Sequence, residues 1–229
     1  MKRTLFIMMA FIAFSMASQA QKSADNLFSK KFSMGVDIFN DIVMDAPDDI
    51  SFRTINQGAN IYGMYTYPIK ESNFAFAIGA GLGMHNLFSD GMLSDTSGVS
   101  FFSKIPEKTT DTEQSLKYKK NKVSLTYLDI PAELRFKTEG GFKVAIGIKA
   151  GFLLNAHTKY KGDDFADGSD LKVKESSLPN FQSWRIGPTI QIGYKWICVT
   201  GFYSITKVFE ENFGPQIYPV SVGISLRPF

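Results

Sequence analysis

Seven charged residues recur at alternating positions of otherwise apolar stretches: Asp129, Glu133, Arg135 and Lys137 in one, Lys143 and Lys149 in the next, Arg185 in a third. Successive side chains of an extended chain point to opposite sides, so this spacing turns all seven to one face. Charges of both signs gathered in a narrow space can pair across neighbouring strands and hold them rigid, or they can line a water path for small ions. Pairing is the stronger reading.

Other residues offer chemistry on thinner grounds. His85 and His157 are the only histidines, and parity puts both on that same face. Beside a Ser or Asp they could form a hydrolytic site or take a metal ion, but no nucleophile motif or spaced ligand cluster accompanies them. Gly79, Gly81 and Gly83 approach a dinucleotide fingerprint, yet Met84 stands where its last Gly belongs. In "DDFADGSD" (163–170) the spacing is that of a calcium loop, but Phe165 and Lys174 occupy positions that need oxygen ligands. No catalytic residue, metal ligand or cofactor is therefore expected.

The elements that carry these residues alternate with period two, the mark of strands whose faces meet different surroundings. Eight such segments occur, at about 31–39, 57–67, 74–84, 123–137, 142–155, 183–194, 196–207 and 217–229. In "FAFAIGAGLGM" (74–84), Phe74, Phe76, Ile78, Leu82 and Met84 oppose a row of Ala and Gly. Leu128, Ile130 and Leu134 oppose the charges of the fourth segment, and Phe142, Val144, Ile146 and Ile148 those of the fifth. Tight links alternate with long ones, the latter at about 40–56, 86–122, 156–182 and 208–216. A transmembrane barrel with both termini in the periplasm has this pattern of short turns and long external loops. Pro131, which cannot donate to a ladder, is expected to mark a bulge.

Volume decides which face is outside. A barrel of eight strands has an interior just wide enough for side chains to fill. Its apolar face is too bulky for that tube, and soluble monomers rarely expose so large a greasy patch. The expected fold is therefore all-β: an eight-stranded antiparallel up-and-down transmembrane β-barrel over 31–229. Phe74, Phe76, Ile78, Leu82, Leu128, Ile130, Leu134, Phe142, Val144, Ile146 and Ile148 should face lipid.

The 229-residue chain opens with Lys2 and Arg3, an apolar run from Leu5 to about Ala17, and small residues up to Ala20. That is the order of a secretory signal, here 1–20 with cleavage after Ala20, followed by an amino-terminal periplasmic segment over 21–30. Losing Lys2 and Arg3 takes the formal charge from +3 to +1, which argues against a nucleic-acid binder. Cys198, the one cysteine, has no partner for an internal disulfide. "KYKKNK" (117–122) places Lys117, Lys119, Lys120 and Lys122 near the headgroups of the outer leaflet, where they could hold lipopolysaccharide phosphates.

Residues 125–162 also resemble the signature region of the PorT-like outer-membrane β-barrel family of Gram-negative bacteria. Tyr127, Leu128, Asp129, Ile130 and Pro131 match its Tyr-Leu-Asp/Glu-Ile-Pro strand, and Gly147 and Gly151 its following Gly-rich strand. The resemblance implies a small outer-membrane barrel; a few members are associated with a protein-secretion machine. The last strand, ending in Phe229, is similar to the terminal strand that barrel-assembly machinery recognises, with Pro228 a departure. The expected role is non-enzymatic: a monomeric structural or surface-interaction protein, or an accessory of envelope or secretion machinery. Its expected partners are outer-membrane lipid, lipopolysaccharide and the assembly machinery. Three rivals make different demands. A lipid-modifying enzyme needs His85 and His157 to converge, a soluble periplasmic lipid binder needs Phe76 and Ile146 inside, and an ion pore needs a wet lumen past Arg135 and Lys149.

Overall fold

A computed structural model describes residues 31–227 apart from 71, 112, 177 and 178. The expected leader, the segment 21–30 and the final Pro228–Phe229 lie outside the described residues.

Eleven strands form: β1 (Phe32–Met44), β2 (Gln57–Pro68), β3 (Phe74–Phe88), β4 (Gly91–Thr96), β5 (Val99–Lys104), β6 (Tyr118–Lys137), β7 (Phe142–Asp163), β8 (Asp170–Ser176), β9 (Trp184–Tyr194), β10 (Ile197–Tyr203) and β11 (Tyr218–Leu226). Eight of them, β1, β2, β3, β6, β7, β9, β10 and β11, pair with their neighbours in chain order, and β1 closes on β11. Every pairing is antiparallel, so the sheet is a closed meander without an edge in its wall. The tight turns, at 69–73, 138–141 and 195–196, share one end, and the long connections share the other. At the turn end Gly141 adopts φ 93°, a conformation that costs a residue with a Cβ, and its N–H bonds back to Thr138 O.

The apolar parity faces outward. Phe74, Phe76, Ile78, Leu82, Leu128, Ile130, Leu134, Phe142, Ile146 and Ile148 are all exposed, and Val144 is half-buried among them. Phe76 at 42% and Ile146 at 54% exposure exclude the inward orientation that a soluble lipid binder requires.

Three features depart from the sequence expectations. First, the strands reach further at the loop end: β6 begins at Tyr118 and β7 runs to Asp163. The long connections there carry the β4–β5 hairpin and β8, which pairs with the far end of β7. Turn-type residues within 86–122 and 156–182 hid these short strands. Second, Pro131 makes no bulge. It faces Lys149 in unbroken register with Ile130↔Ala150 and Ala132↔Ile148. A missing N–H removes a hydrogen bond but inserts no residue. Third, a register shift opposite Thr126 and Tyr127 inserts Leu154, so the inward residues of β7 change from odd to even numbers. Lys149 and Gly151 are buried before the shift, Ala156 and Tyr160 after it. His157 is thereby turned to the outer surface, against the parity expected for it.

The interior also changes character along its length. On β6 the inward odd positions are charged toward the turn end and apolar toward the loop end, as Val123, Leu125 and Tyr127. With Leu87 of β3, Phe102 of β5 and Phe181, Val208, Phe209 and Ile217 of the long connections, they form an apolar plug. Phe209 stacks on Phe181 at 4.7 Å and meets Phe102 edge-on at 6.2 Å. The conventional core of the molecule therefore sits at the mouth of the barrel.

Candidate functional site

Below the plug, glycine and polar side chains leave space for ionised groups. Asp129 receives hydrogen bonds from Arg185 at both carboxylate oxygens, Nη2 lying 2.9 and 2.8 Å away, with Lys149 Nζ at 3.8 Å. Arg185 Nη1 donates to His85 Nε2 at 2.7 Å. A guanidinium has no acceptor, so Nε2 is the acceptor and the proton of His85 resides on Nδ1. It is donated to Asp41 at 2.7 Å, and Ser221 donates to the other oxygen of Asp41 at 2.6 Å. The Arg185 guanidinium also lies over Tyr127, 3.9 Å from the ring centre, while Lys149 sits 4.0 Å from the centre of Phe202. One chain of contacts thus links Asp41, His85, Arg185 and Asp129 across the tube.

A second cluster lies nearer the turns. Glu133 accepts from Arg135 at 3.0 Å and from Arg227 at 2.8 Å, and Arg135 also reaches Thr66 at 2.8 Å. Between the clusters, Tyr62 bonds Asp37 at 3.0 Å and Ser225 at 2.9 Å beside a cavity of about 40 Å³. Such a space holds a few waters and nothing larger.

Of the seven charges on the expected inner face, Asp129, Glu133, Arg135, Lys149 and Arg185 enter these clusters. Lys143 is buried near the turn-end rim beside Arg227 and Cys198, and Lys137 is exposed at the strand end. Sequence reasoning did not weigh Asp37, Asp41 and Arg227 as charges of the network. Inward parity in the first and last strands was the available signal for Asp37 and Arg227; Asp41 lay in the expected connection 40–56, and β1 running on to Met44 and closing on β11 brings it in.

The two histidines do not converge. His85 is inside and bonded to Asp41; His157 lies outside, 2.9 Å from Asn155 Oδ1. The nitrogen that a hydroxyl would need as base in a triad is aimed instead at a guanidinium.

Outside the barrel, β6, β7 and β8 extend as a three-stranded ribbon. Lys120 and Lys122 lie on its outward surface, opposite Lys161 and Lys159. Lys117 and Lys119 lie at its tip, beside Lys161, Asp163 and Asp170. The four lysines of the basic run thus divide between two places.

Residues 18–214 match the model of the outer membrane protein β-barrel domain. The chain belongs to that family. It is an integral outer-membrane barrel of the closed eight-stranded type. Two solved structures of Ail, the attachment invasion locus protein of Yersinia pestis, are similar to it over 86% of this chain and 97% of theirs, at 11% identity. One is Ail in complex with the heparin analogue sucrose octasulfate; the TM-scores are 0.36 and 0.39. No curated protein matches the sequence.

Proposed function

We propose that this outer-membrane barrel is a non-conducting, non-enzymatic scaffold whose work is done on its outer surfaces, with both termini and the short turns in the periplasm. The observation that carries this reading is closure of the lumen twice over. Paired charges cross its lower half, and an apolar plug of buried side chains occupies its upper half. A conducting pore needs a continuous polar or wide passage.

The loop end is built to hold a shape. Asn180 Nδ2 donates to Asp95 Oδ2, Gly98 O and Ser100 Oγ at 3.0, 3.0 and 3.1 Å, tying the connection after β8 to the β4–β5 hairpin. Ser100 N–H in turn bonds Phe213 O at 2.9 Å. A preordered surface loses little entropy when a partner docks. With the resemblance of 125–162 to PorT-like barrels, this supports an accessory role in envelope or secretion machinery.

Planar-bilayer recording of the refolded chain tests the closed lumen: no unitary conductance is expected, and stable single-channel steps would overturn the reading. Purification of the native protein tests the accessory role. Envelope or secretion components should accompany it, and should be lost when the β4–β5 hairpin is shortened without loss of the barrel.

A further inference from the structure

Two rows of lysine cross the outward surface of the ribbon. The register opposes Lys122 to Lys159 and Lys159 to Lys174, and then Lys120 to Lys161 and Lys161 to Lys172. Side chains directly opposite in a sheet are neighbours at about 5 Å, where like charges destabilise the pairing. Six of them in two rows therefore carry a standing cost. Among the described residues no carboxylate lies within 4.0 Å of any of the six. Lys122 Nζ instead donates to the neutral Asn86 Oδ1.

The ribbon cannot turn away to relieve this repulsion. On its other face Tyr160 packs with Ile105 and Leu116, and Leu171 and Val173 pack against that cluster. Glu175 pairs opposite Thr158, on that other parity.

The position of the rows says what they meet. They continue the outward surface that carries Leu134, Ile130 and Leu128 on β6 and Phe152 and Leu154 on β7. Lys122 is four residues beyond Thr126, the level of Leu154. With a rise of about 3.3 Å per residue and a tilt of about 40°, that is about 10 Å above the apolar belt. A lysine stem spans the remaining distance down to the headgroup layer. The row beyond the lysines is acidic, Asp163 opposite Asp170, with Lys117 and Lys119 beside it, so uncompensated positive charge is concentrated in the two lysine rows on the membrane side. A soluble polyanion approaching from outside would meet a tip of mixed charge first; a lipid at the wall reaches the lysine rows without passing a carboxylate.

We propose that this six-lysine face binds the phosphate groups of outer-leaflet lipopolysaccharide, whose acyl chains pack on the belt beneath it. The proposal rests on the reading above that the loop end faces outward. It enlarges the set suggested by the basic run and divides it: Lys120 and Lys122 belong to the site, and Lys117 and Lys119 do not.

The test uses the full mature chain refolded in neutral detergent micelles and titrated with bis-phosphorylated lipid A, the same lipid A stripped of phosphate, and heparin. Each lysine near an anionic headgroup contributes about fivefold in affinity. The K122Q/K159Q/K174Q variant should bind phosphorylated lipid A about a hundredfold more weakly, and wild type should bind the stripped lipid comparably weakly. K172Q/K174Q, confined to the exposed strand β8, should lose about 25-fold and serves if the triple variant fails to fold. K117Q/K119Q should match wild type. Unchanged affinity in both row variants, or a wild type that does not distinguish the two lipids or prefers heparin, would overturn the proposal. Heat-modifiable gel mobility is read on every sample. Its loss in wild type would instead sink the membrane-barrel reading, while its retention with no lipid discrimination sinks only this site.

Discussion

Replacing Asp129 by Ala should be among the most damaging single changes in the barrel wall. The buried lumen holds four carboxylates, Asp37, Asp41, Asp129 and Glu133, against five cations, Arg135, Lys143, Lys149, Arg185 and Arg227. Without Asp129 the ratio is three to five, and Arg185 loses three charge-assisted bonds of 3.3, 2.9 and 2.8 Å. Breaking a buried pair from one side costs about 3–5 kcal/mol, mostly because the surviving charge is left desolvated. Removing both partners in D129A/R185A restores the original imbalance of one. The double variant should therefore be no less stable than D129A alone, a coupling of about 3 kcal/mol. The assay is guanidinium unfolding of barrel inserted in vesicles, followed by heat-modifiable mobility and tryptophan fluorescence at constant m-value. A loss below about 1 kcal/mol in D129A, or additive effects of the two single changes, would refute this description of the lumen.

Gly83→Ala would put a methyl group 2.6 Å from Asp129 Oδ2 and 2.9 Å from Arg185 Nη2, so the same assay should show a loss of about 1–3 kcal/mol. Gly140→Ala, whose nearest neighbour would be 3.9 Å away, should be near neutral. Phe209→Ala empties the centre of the plug and should cost about 3–5 kcal/mol there, seen as rapid protease nicking of the loops while the membrane-embedded wall stays protected. Lys122, beyond the apolar belt, is pushed down from 10.5 to about 8 by burial first and then by Lys120 and Lys159. The folded state disfavours its charge, so the cost is fully present below pH 8 and disappears as pH rises from about 8 to 10.5. NMR titration should give a midpoint near 8, and K122M should be more stable than wild type at pH 7 but not at pH 11; a midpoint near 10.5 would contradict the crowded lysine face.

Much of this architecture was legible because outward and inward residues obey different chemistries over long runs. Phe74 through Met84 alternates bulk with bare backbone, and a tube of eight strands admits only one way to place such a ribbon. The charge pairs were half legible. Parity put Asp129, Glu133 and Arg185 on one face, but only closure of the sheet brings Asp41 to the first cluster and Arg227 to Glu133 from the two ends of the chain. What escaped was governed by single inserted residues and by tertiary contacts. Leu154 shifts the register by one, which sends His157 outside and aligns Lys159 and Lys161 with Lys122 and Lys120. The plug was hidden because Phe102, Phe181 and Phe209 lie in connections with no periodicity of their own. The lysine rows were invisible as rows, since "KYKKNK", Lys159, Lys161, Lys172 and Lys174 are separate in sequence and meet only through strand pairing.

The facing of the wall can be read directly by spin labelling. In a chain with Cys198 replaced by Ser, single cysteines carry a nitroxide at outward Phe76 and Ile146 and at inward Ala77 and Ala145, in bilayers. Collision with oxygen should be high at 76 and 146, as in hydrocarbon, and low to both oxygen and a polar nickel reagent at 77 and 145. High oxygen exposure at 77 and 145 with 76 and 146 shielded, or nickel access at 76 and 146, would contradict a barrel that turns its apolar face to lipid around a sealed polar interior.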